Sequence, residues 1–129
     1  MRIEHIAIWV LDLEAMKHFY IKYFNMAGND KYTNPKKGFE SYFLSFSEGG
    51  ARIELMRSTA ITQSSTIHNT LAGLTHFAIS VGSKEAVDNL TETLRADGHT
   101  ITGEPRTTGD GYYESVVLDP EGNYIEITV

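Results

Sequence analysis

The sequence predicts an α+β fold of two tandem βαβββ modules, which pair into a curved mixed sheet with helices on its outer face. One observation is a repeat, because the pattern H-x-A-I-x-V occurs at 5–10 and again at 76–81. A second repeat follows at nearly the same shift, where I-E-L at 53–55 matches I-E-I at 125–127. Each half therefore opens on a histidine strand and closes on a glutamate strand, and such internal repeats indicate duplicated structural units.

The first half predicts one helix among several extended segments. Asp12 is expected to cap a helix that runs to about Phe24, because aromatic and methionine side chains recur there at helical spacing. Gly28 is expected to stop this helix, as glycine often does. The predicted strands are 5–10, a short strand near 29–33, 39–46 and 51–56, with a hairpin turn at 48–50 before the last.

The second half repeats this plan. Ser83 is predicted to cap a helix that continues through about Ala96, and Gly98 is expected to close it. Predicted strands cover 99–102, 113–118 and 124–129, and the turn signal D-P-E-G-N separates the last two. We expect a single domain over 1–129, with module 1 at about 1–57, a connection at about 58–73 and module 2 at about 74–129.

Composition restricts the classes of function. The net charge is −6 and the basic residues are scattered, which argues against nucleic acid because phosphate binding needs clustered Lys and Arg. No apolar run is long enough to span a membrane, and no segment resembles a secretory signal. The absence of cysteine excludes disulfides, thiolate metal sites and cysteine nucleophiles. These features favour a cytoplasmic protein without membrane or nucleic-acid partners.

Strand alternation places the repeated histidines and glutamates on the strand faces that do not pack against a helix. In all four strands one face is wholly apolar and suits packing on a helix, so His5, Glu54, His76 and Glu126 lie on the opposite face. Two imidazoles and two carboxylates are ligands for divalent Zn, Ni, Co, Mn or Fe. His18, His68 and His99 have no repeat partner and are expected to be surface or capping residues. Candidates for substrate contact are Trp9, Arg52 and Tyr124.

The motifs resemble those of the vicinal oxygen chelate superfamily and, within it, glyoxalase I (lactoylglutathione lyase). They are the opening H-x-A-I-x-V, the central I-E-L, the segment L-T-H-F-A-I-S-V and the closing D-P-E-G-N-Y-I-E-I, and they extend over essentially the whole chain. The resemblance implies the glyoxalase/bleomycin-resistance/dihydroxybiphenyl dioxygenase fold and a homodimer. It also implies one divalent ion and two waters, with Ni, Zn, Co or Mn favoured over Fe. The implied ligands, from one chain or two, are His5, Glu54, His76 and Glu126.

Two positions depart from the bacterial glyoxalase I pattern that the chain otherwise resembles. Those enzymes carry an arginine four residues after the first metal histidine, where it pairs with a glutathione carboxylate, and this chain has Trp9. They also carry an asparagine four residues after the first metal glutamate, where this chain has Ser58. Loss of a buried charge partner weakens recognition of that carboxylate. We therefore expect retained metal chemistry without standard glutathione recognition.

The expected reaction is that of a metal-dependent isomerase or lyase on a 2-oxoaldehyde adduct or a related α-hydroxycarbonyl compound. A metal-bound enediolate is implied, with Glu126 or Glu54 carrying the proton. Fe(II) dioxygenases and fosfomycin-type thiol transferases of this superfamily use two histidines and one carboxylate, so Glu54 as a fourth ligand argues against both. A metal-free antibiotic-binding protein of the same fold is the remaining alternative, and it is disfavoured because such members generally lack the ligand set.

Overall fold

One α-helix and one β-sheet form each half of the chain in the computed structural model. The two compact units are Met1–Ser64 and Ser65–Val129. The structure describes residues 1–63 and 72–129, so His68 and half of the predicted connection lie outside the described residues. Within the described ranges, neither helix is long and apolar enough to cross a membrane.

The first unit has a sheet in which the opening and closing strands are neighbours. Its order is β1-β5-β4-β2, and the short β3 also pairs with β4. The β1–β5 pair is parallel and the other pairs are antiparallel. The elements are β1 His5–Trp9, α1 Leu13–Phe24, β2 Ala27–Gly28, β3 Tyr32–Asn34, β4 Phe39–Ser45 and β5 Arg52–Ser58.

The ends of α1 follow one prediction and contradict another. Asp12 caps the helix, since its Oδ1 accepts a hydrogen bond of 2.9 Å from the backbone N–H of Ala15. The expectation that Gly28 stops the helix is wrong, because Asn25 ends it in the left-handed conformation with φ of 50°. Asparagine tolerates that conformation better than most residues. Gly28 instead lies in β2 opposite Leu44, and the single strand predicted near 29–33 is replaced by the short β2 and β3.

The core of the first unit lies between α1 and one face of its sheet. The helix buries aromatic and sulfur-containing side chains, and the sheet buries alternate apolar residues of β4 and β5. The other face of β1 and β5 is left to the predicted site residues, as the two-residue period of a strand requires. The buried side chains of this core include Met16, Phe19, Tyr20, Leu44, Ile53 and Leu55.

The second unit has the same parallel pair of opening and closing strands. Its sheet order is β6-β9-β8-β7, with β6 and β9 parallel. The apolar face packs on the helix and buries Val87 and Leu94 together with Ile125 and Ile127. The elements are β6 His76–Ser80, α2 Lys84–Ala96, β7 Ile101–Thr107, β8 Tyr113–Leu118 and β9 Tyr124–Thr128.

Both predicted ends of α2 are confirmed, and one predicted strand is corrected. Ser83 Oγ accepts a hydrogen bond of 3.1 Å from the N–H of Ala86, and Gly98 closes the helix with φ of 86°. The strand expected at 99–102 instead covers Ile101–Thr107. The strand continues past Pro105 because β7 is an edge strand with a register shift around this proline, where a missing N–H is tolerated.

Candidate functional site

His5 and Glu54 form what we call the first half-site. They lie on the parallel strands β1 and β5, where Ala7 is the register partner of Glu54. Both side chains therefore project from the face opposite the helix, and His5 Nε2 lies 3.7 Å from Glu54 Oε2. The glutamate side chain is 16% exposed and the histidine is 38% exposed. The first half-site thus presents one nitrogen and one oxygen donor to an open surface.

His76 and Glu126 form the second half-site by the same construction. Ala78 of β6 is the register partner of Glu126 on β9, which places the histidine two residues before the paired position, as in the first unit. His76 Nε2 lies 3.3 Å from Glu126 Oε2. The carboxylate is again the more buried group, at 18% exposure against 45% for the histidine. The repeat in the sequence is therefore a repeat in geometry.

The donor set of each half-site suits a divalent cation. An imidazole nitrogen and a carboxylate oxygen are ligands shared by Zn, Ni, Co and Mn. Each half-site supplies two donors, and metal sites of this kind need three or four protein ligands. Among residues 1–63 and 72–129, no group of three or more His, Asp or Glu side chains could hold an ion. The assembly of all four donors around one ion therefore stays a prediction.

Glu4 and Arg52 place a second carboxylate and a cation beside the first half-site. His5 Nδ1 donates to Glu4 Oε2 at 2.5 Å, and Arg52 Nη2 donates to Glu4 Oε1. The hydrogen bond from His5 lowers the pKa of the Glu4 carboxyl, and Arg52 lowers it further. Phe43 completes the arrangement, with its ring edge-on to His5 at 5.3 Å and under the Arg52 guanidinium at 4.2 Å. The His5 ring is thus contacted on several sides.

Carboxylates dominate the surroundings of the second half-site. Burial raises the pKa of the Glu126 carboxyl above its usual value, and the neighbouring Glu114 raises it further. His76 acts against both, while Asp110 adds to the increase. Glu114 itself is 12% exposed and receives Arg106 Nη2 at 3.3 Å. Glu126 therefore holds a proton more readily than an isolated glutamate does.

The residues expected to contact substrate differ in their surroundings. Trp9 is 48% exposed on the same face as His5, and its ring meets Phe39 edge-on at 6.1 Å. Phe39 in turn contacts Tyr32 at 6.1 Å, and we call these three residues the aromatic cluster. Arg52 is engaged by Glu4, as described above. Tyr124 is half-buried and is the register partner of the second half-site histidine.

Sequence reasoning missed three residues beside the half-sites, and each had a signal of different strength. Glu4 directly precedes His5, so adjacency alone pointed to it. Phe43 is the register partner of Glu54 across the predicted hairpin, which needs the correct strand pairing. Glu114 lies diagonally across β8 and β9 from the second half-site, a position that only the observed register reveals. Of the other histidines, the structure leaves His18 exposed on α1 and His99 half-buried just after α2.

A comparison with protein families identifies the superfamily of this chain. The family model described as Glyoxalase/Bleomycin resistance protein/Dioxygenase superfamily matches residues 2–127. The chain belongs to this superfamily. The predicted fold of two modules, each a sheet with a helix, is confirmed by that match and by a glyoxylase/bleomycin resistance protein/dioxygenase domain of Frankia, which superposes with a TM-score of 0.84 at 18% identity over 99% of this chain and 90% of that one.

Relatives within the glyoxalase superfamily confirm the resemblance to glyoxalase I. The uncharacterized protein YqjT of Bacillus subtilis is 27% identical over 126 residues, which cover 95% of this chain and 94% of that protein. Lactoylglutathione lyase GLX1 of Arabidopsis thaliana is 30% identical, with 98% of this chain matching 43% of that protein. The chain thus spans less than half of the plant lyase. A trypanothione-dependent glyoxalase I of Leishmania major superposes with a TM-score of 0.78 at 27% identity, covering 99% of this chain and 86% of that one.

Proposed function

We propose that this protein is a glyoxalase I-like lyase or isomerase that depends on one divalent ion, Ni, Zn, Co or Mn rather than Fe. Its substrate is a 2-oxoaldehyde adduct or a related α-hydroxycarbonyl compound. The observation that carries the proposal is the duplicated His–Glu pair, built twice on parallel strands at matching register. The ligands are His5, Glu54, His76 and Glu126, and a homodimer is the proposed assembly.

The protein groups supply the proton transfer. A bound divalent ion would act as a Lewis acid that stabilises negative charge on the substrate oxygens next to the reacting carbon. Glu126 takes the proton from the carbon beside the carbonyl and returns it to the adjacent carbon. Its partial burial limits competition from water, and His76 at 3.3 Å orients the carboxylate. Glu54 has the equivalent position in the first half-site and is the second candidate for the proton carrier.

The substrate is proposed to be a small molecule other than a standard glutathione adduct. Trp9 stands where enzymes with glutathione recognition have an arginine, and an uncharged indole cannot form an ion pair with a carboxylate. The aromatic cluster offers exposed ring surface on the face of the first half-site, which suits a flat or apolar group. Arg52 and Tyr124 are proposed as further contacts, with Arg52 acting while it remains bound to Glu4.

The test is a Co²⁺ titration with an activity assay on methylglyoxal adducts of glutathione and of other small thiols. We expect the wild-type protein to bind about one ion per set of four ligands and to turn over a thiol adduct other than that of glutathione. Glu126→Gln should lose turnover by about a thousandfold, in the range of general acid–base catalysis. Glu85→Gln, an exposed helix glutamate, is the matched control and should match the wild type. A wild-type protein that binds neither Co²⁺ nor, in the same titration, Ni²⁺, Zn²⁺ or Mn²⁺ overturns the proposal.

A further inference from the structure

The Nδ1 atom of His5 has a charged partner of its own. Glu4 Oε2 lies 2.5 Å from this nitrogen, on the side of the ring away from Glu54. A carboxylate at neutral pH can only accept hydrogen bonds, and Glu4 already accepts one from the Arg52 guanidinium, so Nδ1 must carry the hydrogen of the contact with His5. In a neutral imidazole the other nitrogen then has a free lone pair. Glu4 thereby leaves Nε2 as the ligand atom of the first half-site.

Arg52 holds the Glu4 carboxylate in place. The backbone N–H of Arg52 donates to the Glu4 carbonyl at 2.9 Å, and its guanidinium donates to the Glu4 side chain. The guanidinium also lies 4.2 Å from the centre of the Phe43 ring, which restricts its own movement. The carboxylate is therefore fixed between an imidazole and a guanidinium that belong to adjacent strands.

We propose that Glu4 is a positioning residue that fixes the tautomer and orientation of His5 for metal binding. This inference rests on the proposed function. A carboxylate on the second nitrogen of a ligand histidine raises the basicity of the ligand and fixes its ring. Glu4 and Arg52 together therefore increase metal affinity without touching the ion.

Among the residues that the structure describes, none forms such a carboxylate–guanidinium pair beside His76, which gives the proposal an internal control. The residue before His76 is Thr75, and the register partner of His76 is Tyr124 in place of Arg52. Neither side chain can form a carboxylate–guanidinium pair. The proposal therefore assigns a supported histidine to the first half-site and an unsupported one to the second.

The experiment compares Glu4→Ala, Glu4→Gln and the control Thr75→Ala with the wild type. Co²⁺ affinity is measured by competition with a chromogenic chelator, and the tautomer of His5 is read from the ring ¹⁵N shifts of the metal-free protein. We expect Glu4→Ala to lower affinity by about 10- to 100-fold, the usual effect of losing such a partner. The His5 ring should then populate both tautomers. Glu4→Gln keeps an acceptor and should recover part of the affinity, and Thr75→Ala should change neither quantity.

The outcomes separate this inference from the proposed function. If the wild type binds Co²⁺ and Glu4→Ala binds it equally well with an unchanged His5 tautomer, Glu4 has no positioning role while the metal site stands. If the wild type binds no metal, the proposed function fails and the inference fails with it. Equal losses in Glu4→Ala and Thr75→Ala would also overturn the inference, because the effect would not be specific to the carboxylate. Circular dichroism confirms that each variant is folded.

Discussion

The two half-sites share a backbone plan and differ in the charges around it. In the first, Arg52 and Glu4 bring an ion pair beside the histidine. In the second, Glu114 lies beside the glutamate and raises its pKa together with burial. The His–Glu geometry is nevertheless nearly the same, at 3.7 and 3.3 Å between the closest atoms. The comparison teaches that strand register sets where the donors lie, while neighbouring side chains set how each donor behaves.

The same contrast extends to the scaffolds that hold the half-sites. The first helix buries aromatic rings such as Phe19 and Tyr20, whereas the second buries Val87 and Leu94. The turns before the closing strands differ as well. Asp119 organises the second turn with three hydrogen bonds, while Gly49 in the first turn donates to the Phe46 carbonyl. Different local solutions thus produce the same pairing of opening and closing strands.

The largest expected effect on the free energy of unfolding comes from a substitution in the turn before the closing strand of the second unit. Asp119 is 4% exposed, and its two oxygens accept from the N–H of Glu121 and from the backbone and side chain of Asn123 at 2.8–3.0 Å. Asp119→Ala should lower the free energy of unfolding by about 3 kcal/mol, because buried donors lose a charged acceptor. Glu48→Ala in the exposed turn of the first unit should change it by less than about 0.5 kcal/mol. Urea denaturation measures both, and equal effects would remove the contrast between the turns.

An intermediate effect concerns the ends of the two helices. Both α1 and α2 are followed by a left-handed residue, Asn25 with φ of 50° and Gly98 with φ of 86°. Gly98→Ala should destabilise the protein by about 1 kcal/mol, because a Cβ is disfavoured in this conformation. Asn25→Gly should be within about 0.5 kcal/mol of the wild type, since asparagine already tolerates the conformation. Thermal unfolding of the two variants gives the comparison. A Gly98→Ala variant as stable as the wild type would show that backbone strain does not determine where this helix ends.

The smallest expected effect is on the pH dependence of stability, and it tests the electrostatic difference between the half-sites. The pKa of Glu126 is raised above its ordinary value of 4.5 in the metal-free protein. A raised carboxyl pKa favours folding below the unfolded value and loses that benefit as pH rises through the folded value. Glu126→Gln cannot ionise, so it should become more stable than the wild type between pH 4.5 and neutral pH, with no gain below 4.5.

Chemical denaturation at a series of pH values measures this difference. Glu48→Gln removes one negative charge at an exposed turn and controls for the net charge of the protein. A Glu126→Gln variant whose stability follows the wild type at every pH would mean that burial and Glu114 do not disfavour the charged form. The same variant is expected to lose turnover, so stability and function would change in opposite directions at one residue.

Much of the fold follows from local signals that act over a few residues. Asp12 and Ser83 cap the helices as predicted because the side chain of a cap bonds within its own turn. The stop at Gly28 was wrong because the choice between Asn25 and Gly28 depends on the pairing of β2 with β4. The end of β7 was missed because Pro105 is tolerated only on an edge strand, and sequence does not show which strand is the edge.

The candidate site shows the same division between local and tertiary information. Strand alternation indicates which face His5 and Glu54 occupy, since that depends only on the two-residue period. The neighbours Phe43 and Glu114 depend on register between strands, which is set by the packed core. The contributions of Phe43 and Glu114 therefore could not be predicted, because these residues lie far along the chain from the histidine of their half-site, whereas Glu4 directly precedes His5.

The parallel pairing of first and last strands in each unit has a consequence for biosynthesis. The donors of the two half-sites are 49 and 50 residues apart in sequence, and each pair meets only when the closing strand docks beside the opening strand. While the closing strand of a unit has not yet been synthesised, the nascent chain contains the histidine of that half-site but not its glutamate. Under the proposed function, neither unit can offer its pair of donors to an ion before its closing strand has docked.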